Sequence, residues 1–266
     1  MNQQPRTALV TGASSGIGVA IARELAKTGA RVAIGARRRE RLEQVAAELR
    51  AQGGEVFADS LDVADADSVE AFFAASERVL GVADVIVNNA AHSLPYALHE
   101  YPPDVLRSEF ATNVLGASLV SARAIRALRA GGQPGDVVFL TSDAVHHPRP
   151  GQLAYGASKA AIENLADGLA LELEGTGVRV LKLRIGPTWS EFGSSWPRDP
   201  ESMASRLQLW REFGLRDARV LGALLLPDNV AQALVWAISQ PPGVWIGTIE
   251  IEPGAPVRAQ PAEGRP

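Results

Sequence analysis

The chain predicts an α/β fold, a doubly wound parallel sheet of about seven strands with helices on both faces. Three observations carry this. Short β-branched runs alternate with helical stretches along the sequence. The runs are apolar at nearly every position, as strands covered on both faces require. The first run also ends in a glycine-rich turn that opens a helix, Thr11-Gly12-Ala13-Ser14-Ser15-Gly16-Ile17-Gly18.

The elements follow in order. Thr7–Val10 is the first strand, and apolar residues at helical spacing from Val19 to Lys27 make the first helix. Arg31–Gly35 is the second strand; Arg39–Gln52, rich in Ala, Leu and Glu, is a helix stopped by Gly53-Gly54. Val56-Phe57-Ala58 opens a third strand that Asp62 closes. A helix over Asp67–Val79 leads to the fourth strand, Asp84–Val87. One long helix is expected from Pro103 to Ala130, then strand Asp136–Leu140, helix Ala154–Glu174 and strand Arg179–Arg184. A helix over Asp228–Ile238 and a strand over Val244–Ile251 close the series.

A length of 266 residues suits one large domain, with no internal linker apparent. Hydrophobic residues make up 46% and charged residues 21%, the profile of an ordinary globular chain. No run approaches the ~18 apolar residues of a membrane span, and no signal peptide is evident. The chain has no cysteine, which removes disulfides, thiolate metal sites and thiol nucleophiles and fits the cytoplasm. At a net charge of −4 with scattered basic residues, neither nucleic acid nor membrane is an expected partner. Only 3 of the 26 cations are lysines: Lys27, Lys159 and Lys182.

A glycine-rich turn between a strand and a helix lets a pyrophosphate approach the backbone, where free N–H groups and the positive helix end receive it. The turn therefore predicts dinucleotide binding; the bland reading is a βα turn that binds nothing. At the end of the second strand, a carboxylate would hold the ribose of NAD, whereas arginine accommodates the 2′-phosphate of NADP. The sequence there is Gly35-Ala36-Arg37-Arg38-Arg39, with no carboxylate before Glu40. Arg37 and Arg38 thus favour NADP(H) over NAD(H), against the alternative of a solvated helix start.

Tyr155-Gly156-Ala157-Ser158-Lys159 places a phenol and an ammonium on one helix face. With three of each residue type, chance would give this spacing about 3% of the time. Drawing a phenol from its usual value to ~7 takes roughly 4 kcal/mol, within reach of a fixed lysine and a positive nicotinamide ring together. Such a tyrosine can protonate a carbonyl oxygen or deprotonate an alcohol. Ser142 follows the strand ending at Leu140 and would lie at the carboxyl side of the sheet, where ligands bind in this fold class.

With these motifs in order, the chain resembles the short-chain dehydrogenase/reductase family over about residues 6 to 252. The glycine motif matches Thr11–Gly18, the serine Ser142, the Tyr-x-x-x-Lys pair Tyr155 and Lys159, and the helix asparagine Asn113. Asn88-Asn89-Ala90-Ala91 matches the motif after the fourth strand, and Asp62-Val63 the pair near the adenine. The resemblance implies that Ser142 positions the substrate oxygen and Tyr155 is the acid or base. Lys159 would lower the Tyr155 pKa and grip the nicotinamide ribose, and Asn113 would hold a relay water. It implies cofactor contacts from Gly12, Ser14, Ser15, Gly16, Ile17 and Gly18 of the turn, with Asp62, Val63, Asn89, Ala90 and Ala91 further along. Thr188 and Ser190 would meet the carboxamide.

Three departures stand out. Ala91 occupies a family glycine position, which matters only if the backbone there needs positive φ. Ile185-Gly186-Pro187-Thr188-Trp189-Ser190 replaces the family's proline with Ile185 and its threonine with Ser190; Thr248–Gly254 replaces the usual closing glycines. A substrate lid is expected at about 188–226, with Trp189, Phe192, Trp196, Trp210 and Phe213, and a mobile tail at 253–266. These aromatics predict a fairly large apolar alcohol or carbonyl substrate, or else pack the lid onto the body. His92, His146 and His147 lack metal-site spacing and read as pocket or surface residues. The expectation is a single-domain NADP(H)-dependent oxidoreductase, a homodimer or homotetramer through its two long central helices. The alternatives are a redox-inactive NADP sensor, or a dehydratase or epimerase built on the same site.

Overall fold

The computed structural model describes residues 5–193, 196, 201, 204, 208 and 224–254. Its centre is a seven-stranded sheet, entirely parallel. The strands are β1 Thr7–Thr11, β2 Arg31–Ala36, β3 Val56–Ser60, β4 Val85–Asn88, β5 Gly135–Ser142, β6 Val178–Ile185 and β7 Thr248–Ile251, in the spatial order β3-β2-β1-β4-β5-β6-β7. The helices are α1 Gly16–Lys27, α2 Arg39–Ala51, α3 Ala66–Leu80, α4 Pro103–Phe110, α5 Ala117–Gly131, α6 Leu153–Glu172 and α7 Pro227–Ile238.

The strand residues sort by parity, because successive side chains point to opposite faces. Ala8, Val10, Val32, Ile34, Val138, Leu140, Leu181 and Leu183 join a core under α1, α2 and α7. Their neighbours Leu9, Ala33 and Ile86 pack with α3 and α5, while Val137, Phe139, Val178 and Val180 pack with α6. Each fully buried Val, Leu, Ile or Phe contributes roughly 1.5–3 kcal/mol, so both layers hold the sheet. Ends are set locally: Pro103 occupies the first turn of α4, and the Asp65 carboxylate accepts from Asp67 and Ser68 N–H at the start of α3.

Two expectations are corrected. The single helix expected from Pro103 to Ala130 is interrupted: Ala111–Gly116 winds as a π-helix between α4 and α5. An inserted residue of this kind re-aims one side chain, and Asn113 lies within it. The last strand begins at Thr248 rather than Val244, because Trp245 turns its indole N–H to the Val180 carbonyl at 2.9 Å before pairing starts. Most of the expected lid, including Trp210 and Phe213, and the tail from 255 onward lie outside the described residues.

The strand order reverses between β1 and β4, whose neighbours continue in opposite directions. A crevice opens there at the carboxyl ends, the place where open α/β sheets bind ligands.

Candidate active site

The turn after β1 is built for close approach. Gly12 has φ 67°, and a Cβ on it would sit 2.8 Å from Ala90 Cα. A Cβ on Gly18 would meet the Gly12 carbonyl at 2.7 Å. The turn is pinned to the end of β4 by Thr11, whose hydroxyl accepts from Asn89 N–H at 3.1 Å and Ala90 N–H at 3.0 Å. The Asn89 amide in turn donates to the Thr11 carbonyl at 2.8 Å. Asn89 therefore braces the turn while also lining the cavity. Ser15 caps α1 without a side-chain bond to the helix's own N–H groups, leaving the first of them to the crevice.

Beside this turn is a cavity of about 350 Å³ lined by Gly12, Ser14–Ile17, Arg37, Arg38, Asp62, Val63 and Asn89–His92. Arg38 lies over the turn, with Nη2 donating to Ser14 Oγ at 3.0 Å and Ser15 Oγ at 2.7 Å. Its Nη1 is 3.6 Å from the Glu191 carboxylate, which also accepts from Arg41 at 2.6 Å. Bonding from Arg41 holds Glu191 below the usual carboxylate range. The sequence reading missed Arg41 and Glu191; their meeting depends on a fold contact 150 residues apart in sequence. The Asp62 carboxylate accepts from Ala64 N–H at 3.0 Å, and Val63 packs where a Cβ on Gly116 would go. Among the described residues no non-glycine has positive φ, so Ala91 fits its glycine position without strain.

An adjoining cavity of about 410 Å³ holds Ser142, Tyr155 and Lys159, with Thr188, Ser190, Phe192 and Trp196 across from them. Ser142 ends β5; Tyr155 and Lys159 lie one turn apart on α6. Ser142 lies close enough to the Tyr155 hydroxyl to favour its ionised form, while its own Oγ donates to Asp143 Oδ1 at 3.2 Å. Lys159 is 4% exposed, and its ammonium donates to the Leu140 carbonyl at 2.8 Å while standing 5.7 Å from the Tyr155 ring centre. Asn113 donates to Ser158 Oγ at 3.0 Å and to the His92 carbonyl at 2.9 Å, and accepts from His92 N–H at 2.9 Å. All three of its bonds are made to the chain around α6 and β4.

Desolvation raises the Tyr155 pKa to about 12, although Ser142 pulls it down. Desolvation also brings Lys159 down to about 8. The expectation that Lys159 draws the phenol toward neutrality is thus not met by the protein's own groups. The ammonium is directed at a backbone carbonyl, and Tyr155 stands as a phenol. His146 and His147 are exposed, and His92 acts through its backbone. No cluster of metal-ligating side chains occurs among the described residues. No helix among them is long and apolar enough to cross a membrane.

A phosphate-accepting turn at the switch point, joined to a cavity with a phenol, a hydroxyl and an ammonium, defines a dinucleotide-dependent oxidoreductase. The family model for short chain dehydrogenases matches residues 6–201. The chain belongs to the short-chain dehydrogenase/reductase family. It is 35% identical over 237 residues to a short chain dehydrogenase of Pseudocercospora fijiensis, covering 87% of this chain and 75% of that one. It is 38% identical to a putative ketoacyl reductase of the granaticin polyketide synthase of Streptomyces violaceoruber, covering 87% and 90%. Among solved structures, an alcohol dehydrogenase from Thermococcus sibiricus complexed with 5-hydroxy-NADP superposes with TM-score 0.79 at 31% identity, covering 97% and 100%. An actinorhodin polyketide ketoreductase variant with NADPH does so with TM-score 0.79 at 28% identity, covering 93% and 95%.

Proposed function

We propose that the protein is an NADP(H)-dependent enzyme interconverting an alcohol and a carbonyl, working chiefly as a reductase of a fairly large carbonyl compound. The observation that carries this is Tyr155, Ser142 and Lys159 converging on one cavity that adjoins the glycine cradle. The cradle fits a pyrophosphate: Gly12 and Gly18 let the turn close tightly against Ala90 and Asn89, where any Cβ would clash, and the first N–H groups of α1 are left open to the crevice. Arg38, with Arg37 and Arg41 beside it, supports a preference for the 2′-phosphate. Relatives in complex with NADP or its analogues point the same way.

When bound, the cofactor supplies or accepts the hydride. The chain's own part is to hold the oxygen and move the proton. Ser142 Oγ and Tyr155 Oη converge on one substrate oxygen, and Tyr155, a phenol through the neutral range, gives up its proton as negative charge grows there. Lys159, mostly charged below its pKa of about 8, stabilises the phenolate left behind and can hold ribose hydroxyls. Asn113 fixes the backbone of His92 and the hydroxyl of Ser158, and the relay water belongs to the same proposal. Ser14 to Gly18, Asp62, Val63, Ala90, Ala91, Thr188 and Ser190 are the remaining proposed cofactor contacts.

Phe192 and Trp196 give the cavity an apolar side suited to a hydrophobic substrate. We extend the proposal to a lid at about 188–226 over one domain, a homodimer or homotetramer, and a cytoplasmic location. Exposed Phe110, Leu115 and Leu171 support an interface through α4–α5 and α6. Loss of nicotinamide absorbance on mixing NADPH with a panel of aldehydes and ketones tests the activity. Tight NADPH binding with no turnover of any of them would replace the enzyme reading by the sensor.

A further inference from the structure

The wall of the substrate cavity beside Ser142 carries a charge pair that proton transfer does not call for. Asp143 directly follows Ser142 and is 2% exposed. Its Oδ1 accepts from Arg149 Nη1 at 3.1 Å and from Ser142 Oγ at 3.2 Å, and its Oδ2 accepts from Arg149 Nη2. The Arg149 side chain is 12% exposed, and both residues line the 410 Å³ cavity with Gln152 and Tyr155. Their charges bear on Tyr155 in opposite directions, Asp143 raising its pKa and Arg149 lowering it.

Burying two charges is costly, and apolar residues of similar volume often serve stability as well. A pair retained in a cavity wall therefore asks for a role in recognition. A guanidinium has five N–H donors, and Asp143 takes one from each Nη. The structure gives Nε–H and the remaining Nη hydrogens no other acceptor among the described residues. Nε is moreover absent from the buried polar atoms that lack a partner. Arg149 and Gln152 thus give polar lining to a cavity that Phe192, Trp196 and Leu224 also line.

We propose that the Asp143–Arg149 pair receives a second, uncharged oxygen of the substrate. The protein's substrates are then ketones with an ester, amide or further carbonyl beside the reacting carbon, or the corresponding hydroxy compounds. The inference rests on the carbonyl-reductase reading above. The second oxygen is neutral because the pair has no net charge. An incoming carboxylate would face Asp143 at close range, and freeing Arg149 for it would leave Asp143 buried without its cation.

The test compares kcat/KM at saturating NADPH for three ketones on one carbon skeleton: a plain ketone, a β-keto ester and a β-keto acid at neutral pH. The keto ester is expected to exceed both others at least about tenfold, the worth of one hydrogen bond from a charged donor. In the double variant Asp143→Asn/Arg149→Leu, which leaves neither charge alone, the ester-to-plain ratio falls to about one. Arg149→Lys, with its charge kept and its fork lost, is expected between the two. A wild-type enzyme that turns over the plain ketone as well as the ester, or prefers the acid, overturns the inference and leaves the reductase reading standing. Turnover of no carbonyl compound at all overturns both.

Discussion

Replacing Arg38 by leucine isolates the phosphate-recognition argument. Arg38 is about half exposed, donates to Ser14 and Ser15, and approaches Glu191 at 3.6 Å. A hydrogen bond to a charged group is worth ~1.5–3 kcal/mol, and partial exposure puts this one near the middle, at about 2 kcal/mol. That converts to roughly thirtyfold in affinity. Calorimetric titration of the Arg38→Leu variant is therefore expected to weaken NADPH about thirtyfold and to change NADH by less than about threefold. The contrast between cofactors matters more than either number. If both weaken alike, Arg38 serves only to brace the Ser14–Ser15 turn; if neither weakens, it has no role in binding. Either result refutes the assignment of NADP preference to this side chain.

The remaining predictions draw on other contacts. Glu191 places a carboxylate between Arg38 and Arg41, where it competes with a 2′-phosphate; Glu191→Gln is expected to tighten NADPH several-fold by calorimetry and leave NADH unchanged. Lys159, brought down to about 8 by desolvation, loses its charge as pH rises. The pH profile of ketone reduction should therefore be level through neutrality and fall above about 8, while a profile flat to pH ~10 would remove Lys159 from the proton path. Glu163 ties α6 to β6 through Arg184 and to β5 through Thr141. Burial opposes its ionisation, but bonds from Arg184 and Thr141 outweigh this and hold its pKa below the usual carboxylate value. A carboxylate depressed in the folded state stabilises above its unfolded pKa and loses that contribution as pH falls through the folded one. Urea unfolding of Glu163→Gln should show a loss of about 2–3 kcal/mol at pH 7, with the difference from wild type shrinking below pH ~4.

What the sequence revealed, and what it hid, follows from range. Strands β1, β2, β5 and β6 were readable because each carries its burial pattern in its own residues, with Val10 and Leu9 apolar for opposite faces. Tyr155 and Lys159 were readable for the same reason: one helical turn suffices to bring them together. The π-turn holding Asn113 was not, since nothing local in Ala111–Gly116 marks a change of winding and the bonds of Asn113 reach His92 and Ser158 across the crevice. Nor was Trp245, whose bond to Val180 delays β7 by tertiary contact alone. Asp143 and Arg149 lie close in sequence, but nothing in their spacing says that they meet inside a cavity beside Ser142.

The most direct test of the account is the reductase activity of Tyr155→Phe with NADPH and the best carbonyl substrate of the panel. The change removes one hydroxyl and keeps the ring that packs 5.1 Å from Phe192. With Tyr155 as the proton donor, kcat/KM should fall by about 10²–10⁴-fold, the range for a general acid, while NADPH affinity stays within about threefold. A variant that reduces the substrate at the wild-type rate would contradict the account. So would one whose lost activity is matched by an equal loss of cofactor binding.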